Sequence, residues 1–339
     1  MKPIRTLILA AVCGLVATAS AGAETLTVSW WGFNGDKLNE YVVQPFQEKC
    51  GCELVFETGN NADRLNRVRM RGGVDVIYLT DAFSQIGVAE DLFQPVDRAK
   101  VPNIEGLYDI AKAPQGDFGP AYTIGRIGIV YDAEKVDPAI TSWSDLWRED
   151  LASSISLPGI TTTAGPMVVM IAGDKAETDA FENADPAFSA LEDLRPNVVK
   201  NYNTGSEMIN LFSTGEITTS ITQDFTLAQL RAAVPSIAWA DLDEGDIAVL
   251  NTVNIPKNAQ NVELAHEFIN FILDPEVQKK LAENGVDAPV VENLELAPEA
   301  AAQWTYGTEM ISKLKRIDYE KMNAAKDEWL ERWSEVFGM

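Results

Sequence analysis

Along the first 255 residues, short runs rich in apolar and β-branched side chains alternate with stretches in which apolar positions return every three to four residues. The short runs predict strands over 26–33, 52–57, 74–80, 127–132, 155–158, 216–222, 237–240 and 248–255. The longer period predicts helices over 37–49, 83–93, 186–194, 206–212 and 225–233, with a further apolar helical run starting near Pro166. That alternation is the order of an α/β protein. Beyond Pro256 the pattern becomes helical only. Over 261–273, Leu264, Ala265, Phe268 and Ile272 fall on one stripe, and Asp274 followed by Pro275 supplies an N-cap and a first-turn proline for a second helix ending near Gly285. The last helix, over 319–337, carries Trp329, Trp333 and Phe337 on one face, which suits docking. The chain has no internal repeat or Gly/Ser-rich tether, so any two lobes must be joined by extended crossing segments.

The N-terminal pattern changes the picture. Lys2 and Arg5 precede an apolar run from Leu7 to about Thr18 that ends in small residues at Ala21, Gly22 and Ala23. This is the pattern of a cleaved secretory signal over 1–23, and it predicts an exported protein. The run is short for a membrane span, and no later stretch approaches one. Removing residues 1–23 takes away two basic and no acidic groups, leaving 25 Lys+Arg against 51 Asp+Glu. So acidic a surface repels nucleic acid. The remaining length and a 46% hydrophobic composition allow two cores. Cys50 and Cys52 flank Gly51, which tolerates the dihedrals of a tight disulfide ring; two free thiols are the alternative. One histidine and no second cysteine pair argue against a zinc site, and no cofactor is expected.

Several segments, in consistent order, resemble the periplasmic solute receptors of ABC importers, and most closely the spermidine/putrescine-binding group. They are Leu26 to Trp31 (LTVSWW), Val74 to Thr80 (VDVIYLT), Thr141 to Trp147 (TSWSDLW), Asn254 to Pro256 (NIP) and the helix pair from Ala265 to Gly285. The resemblance spans essentially the whole chain after residue 23. It implies a two-lobe periplasmic binding protein fold of type II, with lobes joined by crossing strands and a ligand enclosed by hinge closure. Lobe one would comprise 24–127 with 255–300 and lobe two 128–254, with crossings near 128–132 and 251–255. Residues 301–339 would supply C-terminal helices that brace the lobes. It further implies a periplasmic monomer whose partners are a small amine or zwitterion and a membrane permease. Ser142, Trp143, Leu146 and Trp147 are read as packing within lobe two.

Ligand contacts in such folds lie on loops beyond the carboxyl ends of strands. That rule selects Trp30, Trp31 and Asn34 after the first strand, where Trp31 matches a family position whose aromatic ring covers the ligand. An ammonium over an indole gains about 0.5–2 kcal/mol. Because strand neighbours face opposite ways, one tryptophan is expected in the cleft and one in the core. Thr80 and Asp81 follow the third strand, Asp81 either lining the cleft or capping the next helix. Tyr122 and Arg126 precede the first crossing; Arg126 serves either a ligand carboxylate or an ion pair. Thr161, Thr162 and Thr163 precede a helix and could hold a carboxylate or act as N-caps. Tyr202, Asn203 and Ser206 are candidate polar contacts, as is Asn251 on the second crossing. Asp224 could meet an ammonium or cap a helix. Trp239 and Trp304 are possible walls, with core packing favoured. By the same resemblance, Ile160, Thr163 and Asn251 stand where polyamine receptors carry acidic groups. The expected ligand is therefore a compact amine, either putrescine-like or an ω-amino acid such as γ-aminobutyrate.

An enzyme is the rival class, but His266 lies inside an amphipathic helical stripe and no recognisable catalytic motif is present. A ferric-ion receptor of the same fold would use adjacent tyrosines, and the chain contains no such pair.

Overall fold

The computed structural model describes residues 23–32 and 34–338; the predicted signal segment over 1–23 lies outside them except for Ala23. Among the described residues ten strands form one curled sheet. They are β1 (Thr25–Trp30), β2 (Glu53–Thr58), β3 (Val76–Thr80), β4 (Phe93–Gln94), β5 (Ala121–Asp132), β6 (Ile155–Pro158), β7 (Val198–Tyr202), β8 (Thr219–Gln223), β9 (Ile237–Trp239) and β10 (Ile247–Pro256). The order is β2-β1-β3-β10-β5-β8-β6-β7, with β4 pairing β10 and β9 pairing β5. Helices cover the faces, as α/β order predicts.

Two strands make this one sheet into two lobes. β5 and β10 run antiparallel, Ile247 opposite Ile127 and Val249 opposite Gly125. At one end Tyr122, Ile124, Leu250 and Val253 join a core with Leu26, Val28, Val76 and Phe268. At the other, Ile127, Ile129, Ile247 and Val249 join a core with Leu157, Met167 and Leu191. We place the crossings where the strands change core, between Ile124 and Ile127 and between Val249 and Leu250.

The final helix, Tyr319–Phe337, packs on Asp81–Ala89 of lobe one and on Gly165–Lys175 and Asp185–Leu194 of lobe two. Trp329 and Trp333 are buried in the second core. The Trp143 indole donates to the Gly245 carbonyl and the Trp147 indole to that of Ala190, so both serve lobe-two packing.

Local departures from the pattern have local causes. The helix expected over 37–49 is interrupted by a wide turn, Asn39–Val43, between Gly35–Leu38 and Gln44–Cys50. Pro45 has no N–H to continue a regular ladder through that point. β7 escaped prediction because it is an edge strand whose centre is Lys200 and Asn201, the kind of polar sequence that protects an edge. Helix Asn61–Met70 reads as polar because it carries Arg64, Arg67 and Arg69. Cys50 and Cys52 are joined as a disulfide around Gly51, whose φ of 66° is left-handed.

Candidate functional site

The loops beyond β6, β7 and β8 converge on one wall in lobe two. Thr162, Thr163, Tyr202, Asn203, Thr222, Gln223 and Phe225 line a cavity of about 140 Å³ there. β6 and β7 are parallel, as are β6 and β8, so their carboxyl ends lie side by side. The Thr162 hydroxyl is already used: it donates to the Gly159 carbonyl and accepts from the Gly165 N–H at the start of the next helix. The Tyr202 hydroxyl is spent on the Ile221 carbonyl at 2.7 Å. Thr161, Thr163, Asn203 and Ser206 are exposed, and Phe225 presents an apolar ring that is 69% exposed. This wall is polar but uncharged. Ile160 is buried in the lobe-two core rather than turned toward the cavity.

The wall in lobe one is aromatic. Trp30 and Trp31 are both half-buried, so the expected split between one core and one cleft tryptophan does not hold. Trp30 packs edge-on to Phe56, with ring centroids 5.4 Å apart. Trp31 approaches Tyr78 at 6.1 Å and Tyr122 at 6.2 Å, and those two tyrosines meet at 4.6 Å. These rings, with Asp287, line a small cavity of about 30 Å³. Asn34 is exposed in a left-handed conformation at the start of Gly35–Leu38.

Beneath Trp31 lies Arg64, which the sequence pattern hid. Its guanidinium is fully buried, 4.5 Å from the Trp31 ring centroid, and it donates to the Ser29 and Tyr78 carbonyls and to Asn61. Burial holds its pKa down to about 10, so it remains a cation at neutral pH. This position bears on where an ammonium can sit. On the opposite face of Trp31 it would lie roughly 8 Å from the guanidinium, where an effective dielectric of about 20 gives about 2 kcal/mol of repulsion. That offsets the about 0.5–2 kcal/mol an indole face returns. Trp31 is therefore a better wall for the uncharged part of a ligand than for its ammonium.

The carboxylates named from sequence are occupied. Asp81 is buried and accepts from the Ala82 N–H at 3.0 Å and the Leu250 N–H at 3.1 Å, with Arg316 and Tyr319 of the C-terminal segment beside it. It is thus a clasp between β10 and the first turn of its own helix. Asp224 accepts a hydrogen bond from the buried Thr305 hydroxyl and packs over Gly125, where a Cβ would stand 2.8 Å from Oδ1. Arg126 pairs with Asp246 at 2.8 Å and lies 4.7 Å from the Trp239 ring centroid; the Trp239 indole donates to the same carboxylate at 2.9 Å. Arg126 is thus an ion-pair residue at the crossing, and Trp239 packs against it. Trp304 donates to the Ala282 carbonyl. Thr80 and Asn251 pair across β3 and β10 and are half-buried; the Asn251 side-chain oxygen has no partner among the described residues. His266 is buried with both ring nitrogens engaged, one by the Asp97 N–H and one by the Val262 carbonyl.

Burial raises the carboxyl pKa of Asp81 to about 7, against opposing hydrogen bonds, and that of Asp287 to about 7 with nothing opposing it. A carboxyl whose folded pKa is raised favours the folded state when protonated. These two groups therefore stabilise the ligand-free protein least above about pH 7 and progressively more as pH falls from there toward 4. Burial also raises Asp224 and Asp246, in the same direction. Calorimetric scans are expected to show the melting temperature rising from pH 8 to pH 5.5. Asp287→Asn should flatten that rise; an unchanged slope in the variant would refute the assignment.

The family model for bacterial extracellular solute-binding proteins matches residues 73–321. The chain belongs to that family. It is 25% identical over 302 residues to a spermidine/putrescine-binding periplasmic protein of Salmonella typhimurium, covering 85% of this chain and 84% of that one. It is also 25% identical over 293 residues to a gamma-aminobutyric acid-binding protein of Pseudomonas aeruginosa, covering 81% and 79%. The crystal structure of an ABC transporter from Clostridium perfringens superposes with a TM-score of 0.88 at 38% identity, covering 92% of this chain and all of that one. The fold is the two-lobe periplasmic binding protein fold, and the chain is a solute-binding protein of the ABC-transporter type. Among the described residues no helix is long and apolar enough to cross a membrane.

Proposed function

We propose that this protein is an extracytoplasmic receptor that encloses a compact amine-bearing solute between its lobes and delivers it to the permease of an ABC importer. The favoured ligand is a zwitterion of the ω-amino acid type, with putrescine as the alternative. The observation that carries the reading is the contrast between the two walls. Lobe one offers aromatic rings around a single carboxylate, whereas lobe two offers exposed hydroxyls and amides with no charge. A cation end is served by the first wall and a carboxylate end by donors such as Thr163, Asn203 and Gln223 on the second. The names of the polyamine- and γ-aminobutyrate-binding relatives support the same ligand class.

A thermal-shift screen of amines, amino acids, polyamines, sugars and metal ions tests this. A ligand at 100 times its dissociation constant adds about 2.7 kcal/mol of stability. The expected response is to short amines, accompanied by a smaller radius of gyration in small-angle scattering as the lobes close. Responses confined to sugars or metal ions would overturn the reading.

A further inference from the structure

With Asp81, Asp224 and Asp246 each engaged by protein donors, the ligand's ammonium needs another counter-ion, and Asp287 is placed to supply it. Asp287 follows helix Pro275–Glu283 in a loop pinned on the side that follows it. The Thr123 hydroxyl, near the start of β5, donates to the Ala288 carbonyl at 2.8 Å; the Tyr108 N–H donates to the Val290 carbonyl at 2.9 Å; and the Val290 N–H donates to Gln278 at 2.9 Å. The loop is therefore held at the end of the crossing strand, and the Asp287 carboxylate lines the same small cavity as Tyr78, Tyr122, Trp30 and Trp31.

Among the described residues no group donates to that half-buried carboxylate and no cation pairs with it. A carboxylate left so costs the fold stability, while its surroundings suit a guest. Two phenol rings 4.6 Å apart stand in the wall, and apolar side chains such as Leu38, Val42 and Ile272 complete it. The cavity of about 30 Å³ admits one or two water-sized groups, the scale of an ammonium head rather than of a polyamine chain.

We propose that Asp287, walled by Tyr78 and Tyr122, is the seat for the ligand's ammonium group. The proposal rests on the amine reading above and adds the residue that recognises the charge. With the positive end held there in lobe one, the rest of the ligand passes Trp31 toward the uncharged lobe-two wall.

Calorimetric titrations of wild type and Asp287→Asn with γ-aminobutyrate, putrescine and butyrate test it. The variant is expected to lose at least thirtyfold affinity for the amine that the wild type binds, while its ligand-free melting temperature rises, which separates lost recognition from lost folding. Replacing γ-aminobutyrate by butyrate should weaken wild-type binding as strongly and change the variant's binding little, because the charge pair is already broken. Amine affinity within threefold of wild type in the variant would overturn the seat and leave the amine reading standing. A wild type that binds neither amine would overturn both.

Discussion

Asp246→Ala is expected to lower the stability of the protein by about 3–5 kcal/mol, the range for removing one partner of a buried ion pair. The Asp246 side chain is 7% exposed and that of Arg126 18%, so water replaces little of what is lost. One Asp246 oxygen accepts both from Arg126 and from the Trp239 indole. The substitution therefore leaves a guanidinium and an indole N–H together without their acceptor. Gly128 explains why the carboxylate fits: a Cβ there would stand 2.5 Å from Asp246 Oδ1 and as close to the Trp239 ring. Asp246→Asn keeps an acceptor and should cost much less. Urea unfolding of the two variants measures the difference. A loss of under 1 kcal/mol for Asp246→Ala would mean that the pair at the crossing does not hold the two strands.

Much of the fold is legible in the sequence because it is written as periodicity. β6 lies where its apolar run places it, over Ile155–Pro158, and the last helix spans Tyr319–Phe337 with Trp329 and Trp333 turned into the core. Less legible are elements whose burial does not follow composition. β5 begins at Ala121 rather than at residue 127, because Gly125 and Arg126 break its apolar run. Both residues are there for the carboxylates of Asp224 and Asp246, which sequence spacing does not bring together.

The site divides in the same way. Strand ends are readable, and Thr162, Thr163, Tyr202 and Asn203, which lie beyond them, line one cavity. Whether each side chain is available is not readable, since that depends on partners distant in the chain: Thr305 for Asp224, Leu250 for Asp81, Ile221 for Tyr202. Arg64 was hidden by its polar helix, although its spacing from Val68 puts it on the buried stripe. Asp287 carried a faint signal as a lone acid between small and apolar residues, Gly285, Val286 and Ala288 to Val291.

The ligand assignment carries the larger consequence. A polyamine enclosed by the lobes needs a carboxylate for each ammonium, since every unpaired buried charge costs several kcal/mol. By the resemblance read from the sequence, Ile160, Thr163 and Asn251 would stand where a polyamine receptor is expected to carry acids; all three are uncharged, and Ile160 is buried in a hydrophobic core. A single seat at Asp287 serves one ammonium. A short ω-amino acid places its other end on hydroxyls and amides, and putrescine leaves one ammonium at the cavity rim.

The most direct measurement is a paired calorimetric titration of the protein with γ-aminobutyrate and with spermidine under one buffer condition. The account predicts that γ-aminobutyrate binds at least about 100-fold more tightly, a difference of about 2.7 kcal/mol. Tight binding of spermidine with no heat from any short ω-amino acid would contradict it.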